Sequence, residues 1–325
     1  MTQNAAAGLA LGARVIPVPT TISEQAHQVL SGPSRVAMSA DLPPVDDKAR
    51  WKAMISQMDA TLVGMIAPRL PTQGYTHEAR TIAGVTTHVI TPAGVAADDL
   101  HVFLDIHGGG FVFGGGECCR LMAIGMALRV GMRLVSVDYR MPPDHPFPAG
   151  LDDCLVVYRS LLETSRPEHI VVGGVSAGGN LAAALTLRAR EEGLPMPAAV
   201  VMLTPASDIT GAGDTFETLR GIDPILPSSM PEMMALYAGA TPLDHPYVSP
   251  LFGDFKPGFP PTLLQSGTRD LLLSSTVRMH RKLRSAGIES ELHVFEAMPH
   301  GGFGGTPDDM DVTMELRRFL AKHRK

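Results

Sequence analysis

The chain has 325 residues, 45% hydrophobic and 18% charged, with a formal net charge of −6. That balance provides a large apolar core and argues against a nucleic-acid partner: Lys and Arg are scattered, apart from a modest group over Arg278–Arg284 that reads as a solvated helix face. Cys118, Cys119 and Cys154 have no metal-ligand spacing and make a poor disulfide framework, so no metal is expected and a reducing cytoplasm fits best.

Residues 1–20 read as a loose arm; their Ala/Leu/Gly run lacks a basic start and is too short and interrupted to span a membrane. From Ser23 to about Leu70 the pattern is helical. Trp51, Met54, Ile55, Met58, Leu62, Met65 and Ile66 make one apolar stripe, which either packs on the core or lines an apolar cleft. Pro68 and Pro71 end it. Glu78–Ile82 and Thr86–Ile90 predict a β-hairpin. Strand Asp99–Ile106 then runs into His107-Gly-Gly-Gly-Phe111, followed by helix Cys118–Val130 and strand Arg133–Tyr139. After the proline-broken stretch Asp138–Ala149 come helix Gly150–Leu162, strand Ile170–Val175, helix Ala177–Glu192 and strand Ala198–Leu203. This alternation means crossover units, a mostly parallel sheet and helices on both faces.

The alternation breaks over 207–250, where Gly, Pro, Asp and Thr clusters surround one expected short helix. Ser229 and Glu232 have capping-box spacing, Pro231 suits the first turn, and Met230, Met233, Met234 and Tyr237 form the apolar face. Strand Thr262–Ser266, helix Ser274–Ala286, strand Glu291–Phe295 and helix Asp308–His323 complete an eight-stranded α/β reading. The expected division is 1–75 for the arm and cap helices, 76–206 and 251–325 for two parts of one core, and 207–250 for a cap insertion.

The chemistry centres on Gly174-Val-Ser176-Ala-Gly178, a glycine-flanked serine between a strand and a helix, where the sharp turn exposes the hydroxyl. Asp270 and His300 each follow a later strand, and ligands of open α/β sheets sit beyond the carboxyl ends of strands. A serine hydroxyl is a poor nucleophile at neutral pH. His300 can take its proton, and Asp270 can hold the imidazole tautomer and stabilise the imidazolium. His107-Gly108-Gly109-Gly110 supplies the remaining need. Glycine backbone N–H groups, Gly109 and Gly110 with Ala177, can approach a developing oxyanion closely. Glu296 is a rival acid, only four residues from His300. Phe111 and the insertion's Met230, Met233, Met234 and Tyr237 are the expected lining of an apolar acyl pocket.

His107–Phe111, Asp138–Ala149, Gly174–Asn180, Gly267-x-x-Asp270 and His300-Gly resemble the hormone-sensitive-lipase-like family of bacterial esterases, with the α/β-hydrolase fold. The resemblance implies a helical cap, carboxylester hydrolysis of short- to medium-chain acyl groups without a cofactor, and often a homodimer. Its partner is a small-molecule ester. One position departs: the family usually has Asp or Thr before the serine, and here Val175 has no hydroxyl. The threonine subgroup is the nearer one. A lactone or amide hydrolase with the same triad, and a non-catalytic receptor on the same fold, are the alternatives.

Overall fold

The computed structural model describes residues 12–13, 15–32 and 42–324; most of the expected N-terminal arm, and residues 33–41 within the expected helical stretch 23–70, lie outside them. In chain order the helices and strands are α1 (Glu24–Ser31), α2 (Lys48–Ile66), β1 (Tyr75–Ile82), β2 (Val85–Pro92), β3 (Val102–Ile106), α3 (Glu117–Val130), β4 (Arg133–Val137), α4 (Ala149–Thr164), β5 (Ile170–Val175), α5 (Ala177–Glu191), β6 (Ala199–Leu203), α6 (Thr215–Thr218), α7 (Pro231–Ala238), β7 (Thr262–Gly267), α8 (Leu273–Ser285), β8 (Ser290–Phe295) and α9 (Asp308–His323).

The strands form one eight-stranded sheet in the order β1-β2-β4-β3-β5-β6-β7-β8. β1 and β2 pair antiparallel to each other, as does β2 with β4; every later pair is parallel. The central parallel strands β3, β5 and β6 are near-continuous apolar runs because both faces are covered, whereas the edge strand β8 is only partly buried. Leu104, Val172 and Leu264 belong to one core cluster and Phe103, Val171 and Leu263 to another, as the period of two requires. Helix α5, behind the serine, is buried on all sides over its first three turns: Leu181 to Leu185 have no exposed surface, and only its last turn, with Arg188, Arg190 and Glu191, reaches solvent.

The helical 23–70 stretch holds α1 and α2 as separate helices: Pro43 and Pro44 cannot donate to a helical ladder, and α2 starts afresh where the Asp47 carboxylate accepts from the Arg50 N–H. One expectation changes further along the chain. Within 207–250 there are two helices, α6 and α7, and the Ser229–Glu232 capping box does not form. Helix α7 begins at Pro231 with Met230 in the cap position, so Ser229 is one residue too early to cap it. No helix among the described residues is long and apolar enough to cross a membrane.

Candidate active site

Ser176 sits at the junction of β5 and α5 with φ of 57°, a left-handed conformation unusual for a side-chain-bearing residue and held here by its surroundings. Its N–H donates to Leu203 O, and its own carbonyl accepts from Asn180 and Ala206. The turn demands a glycine two residues later: a Cβ on Gly178 would lie 1.8 Å from Ile106 O, so α5 could not approach β3 with any side chain there.

The structure brings Asp270 and His300 to this serine. His300 Nε2 is 2.9 Å from Ser176 Oγ, and His300 Nδ1 is 2.9 Å from Asp270 Oδ1. Asp270 is fully buried and its carboxylate accepts two further bonds, from Ser266 Oγ at 2.6 Å and from the Leu272 N–H at 2.9 Å. Glu296 is exposed, as its place at a strand end suggested.

Burial alone would push the His300 imidazole down. The charge and hydrogen bond of Asp270, with a contribution from Asp223, instead hold it above the ordinary histidine range. If His300 serves as a general base it must be neutral, and protonation would remove that form as pH falls through the raised value. The expected kcat/KM falls by about tenfold per pH unit on the acid side, with its midpoint above that of a free imidazole. A pH–rate profile that stays flat across that region contradicts the assignment.

The loop after β3 stands over the serine. His107 to Gly110 line the same cavity as Ser176 and His300, a space of about 760 Å³. Gly109 has φ of 119°, and a Cβ there would lie 1.9 Å from Phe113 O, so this tight loop accepts only glycine. Among the described residues no protein acceptor takes the N–H of Gly109, Gly110 or Ala177. His107 supports the loop rather than titrating in it: burial pushes it down to about 4, it stacks on Tyr139 at 4.1 Å, and the Tyr139 hydroxyl donates to its carbonyl. Asp59 of α2 and Asp138 pin the loop further along, accepting from the Gly114 and Gly116 N–H groups.

Of the expected pocket residues, Phe111, Met230 and Met234 lie on the cavity wall. Met233 and Tyr237 do not. They point the other way from α7, where the Met233 methyl would meet a Cβ on Gly110 at 2.5 Å and Tyr237 stacks on Phe111 at 3.9 Å. Residues 230 and 234 share one side of the helix, 233 and 237 the adjacent one, and only the first side faces the cavity. The α2 stripe divides likewise. Trp51 is buried with Met54, Ile55, Met233 and Leu236, whereas Leu62, Met65 and Ile66 line the cleft.

Sequence reasoning missed Asp223, buried in the irregular part of the insertion. One carboxylate oxygen accepts from the His300 and Leu271 N–H groups at 3.1 and 3.0 Å; the other takes Ile225 and Leu226. A single side chain thereby joins the insertion to the loops carrying Asp270 and His300. The only sequence signal is Asp223-Pro224, a common turn start.

Residues 103–303 match a family model described as the alpha/beta hydrolase fold. An esterase of the bacterial hormone-sensitive lipase family has a crystal structure with a TM-score of 0.80 to this chain and 30% identity, covering 94% of this chain and 99% of that one. The chain belongs to the hormone-sensitive-lipase-like family of α/β hydrolases. The structure of esterase E25 is more similar still, with a TM-score of 0.89 and 35% identity over 98% of this hydrolase and 99% of its own length. An esterase of Acinetobacter venetianus is 32% identical over 211 residues, 62% of this chain and 67% of that one. This member of the family is accordingly a carboxylic ester hydrolase, and the receptor alternative is set aside.

Proposed function

We propose that the enzyme cleaves short- to medium-chain carboxylic esters through an acyl-enzyme on Ser176. The observation that carries this is the unbroken line of hydrogen bonds from Asp270 through His300 to Ser176, inside a mostly apolar cavity beneath the glycine loop. His300 takes the Ser176 proton as the hydroxyl attacks the ester carbonyl and gives it to the leaving alkoxide. Water then repeats the sequence on the acyl-enzyme, with His300 again as base. Gly109, Gly110 and Ala177 donate to the oxyanion that forms in each step, at about 3 kcal/mol per donor. Asp270 holds the imidazole with Nδ1 protonated and Nε2 free to accept, and stabilises the imidazolium. No cofactor enters this scheme.

Leu62, Met65 and Ile66 from α2, with Met230 and Met234, supply an adaptable apolar wall, since methionine fills irregular space. The test is kcat/KM across a series of uncharged p-nitrophenyl esters from acetate to palmitate, with Ser176→Ala as the blank. The maximum is expected between short and medium chains. A maximum at palmitate overturns the chain-length assignment, and turnover by the blank overturns the nucleophile.

A further inference from the structure

The cavity wall contains a half-buried cation that pairs with no acid among the described residues. Arg129, in the last turn of α3, lines the cavity together with Ser176 and His300. Its backbone carbonyl accepts from Arg317, but its guanidinium makes no hydrogen bond or ion pair among the described residues, and its Nε is buried without a partner. Burial pushes this guanidinium down from its ordinary value, and among the described residues Asp309 is the acid that offsets the effect. Asp309 is already committed: its two oxygens accept from the Phe303, Gly305 and Thr306 N–H groups.

The other charged groups on the wall are accounted for. Asp208 is paired with Arg278. Burial pushes the Asp105 carboxyl up to about 7, beside the Ser136 hydroxyl that donates to it. Arg69 and Glu232 are exposed and solvated. A second, small cavity of about 10 Å³ adjoins Arg129, Val175, Thr204 and Gln265, and Thr204 Oγ1 and Gln265 Oε1 have no partner either. Its volume suits one water, which three such groups can hold. That accounts for Nε, and the terminal N–H donors along the guanidinium edge are left for a group in the main cavity, which Arg129 also lines. A buried charge is costly unless paired, and guanidinium geometry fits a carboxylate in bidentate fashion.

We propose that Arg129 is a carboxylate-binding subsite and that the preferred substrates are small, otherwise apolar esters bearing a free carboxylate. This rests on the esterase reading above and adds to it the chemistry of the substrate's far end. Val175 fits the arrangement: it lines both cavities with Arg129, so an Asp at that position would add a competing carboxylate to the same wall, and valine adds none.

The experiment compares matched pairs of esters. One pair carries the charge on the acyl side, p-nitrophenyl hydrogen adipate against its methyl-capped diester. The other carries it on the alcohol side, 3-acetoxybenzoate against its methyl ester. The measured quantity is the ratio of kcat/KM for the anionic over the neutral member, in wild type, Arg129→Met and Arg129→Lys. In wild type at least one pair is expected to favour the anion. In Arg129→Met that ratio is expected to fall by about tenfold or more, the size of a lost charge-assisted contact, with part of it kept in Arg129→Lys. A merely structural role lowers both rates and leaves the ratio unchanged, which overturns the proposal, as does a wild-type preference for the neutral member of both pairs. The ratio in wild type decides even if a variant fails to fold. Calorimetric binding of the same esters to Ser176→Ala, with and without Arg129→Met, reads the subsite without turnover. Tighter binding of the anion that is lost with Arg129 supports the subsite even if the acyl-enzyme reading fails, and equal binding of both members overturns it.

Discussion

Ser176→Ala is expected to reduce kcat on a short-chain ester by about five to six orders of magnitude while leaving the fold intact. The size follows from what is lost. Without the hydroxyl there is no acyl-enzyme, and His300 has no nucleophile at 2.9 Å from which to take a proton. The Gly109, Gly110 and Ala177 donors remain, so the residual rate should still exceed that of free water by about three orders of magnitude. The fold should tolerate the change, because Ser176 is only partly buried and its Oγ bonds to His300 alone among the described residues. Loss of one oxygen there removes no buried packing. A Tm within a few degrees of wild type, together with the loss of turnover, is the expected pair of results; a variant retaining a tenth of the activity contradicts the role.

The second large effect is at Asp270. Asp270→Asn is expected to lower kcat by about 10⁴-fold while the variant stays folded, because the amide can offer an N–H where His300 needs an acceptor and so favours the wrong tautomer. The geometry makes the substitution severe. The carboxylate accepts at once from His300 Nδ1, Ser266 Oγ and the Leu272 N–H, and an amide nitrogen can accept from none of them. It also removes the negative charge that counters the effect of burial on His300, so any residual activity should have its acid limb displaced to lower pH. The control is Glu296→Gln, the exposed acid just after β8 on the way to His300, expected to leave kcat within about twofold, as surface changes away from a site usually do. A kcat for Asp270→Asn within tenfold of wild type, or a larger loss at Glu296, overturns the assignment of the acid.

The sheet was legible in the sequence because parallel strands buried on both faces are short apolar runs with sharp ends, and each of the eight appears within a few residues of its expected place. The Ser176, Asp270 and His300 positions were legible for a related reason: each follows a strand, and strand ends converge on one edge of the sheet. The 207–250 segment was not. Its position depends on side-chain bonds to distant parts of the chain, such as Asp223 to Leu271 and His300 or Asn180 to Ala206 and Val248, which leave no period in the sequence. Chemistry and helical spacing group Met233 and Tyr237 with Met230 and Met234 on one apolar face, and only the rotation of α7 shows the first two turned onto Gly110 and Phe111. Arg129 was hidden for the opposite reason. A charged residue in the last turn of a helix usually reads as a favourable contact with the helix dipole, and nothing local shows that this one runs back to the cavity.

The central claim is an acyl-enzyme on Ser176, and the most direct measurement is the intact mass of the protein after brief reaction with a fluorophosphonate, followed by peptide mapping. One phosphonyl group on the peptide containing Ser176, absent from Ser176→Ala and formed more slowly as His300 is protonated, is the predicted result. An unlabelled protein, or a label on any other residue, contradicts the account.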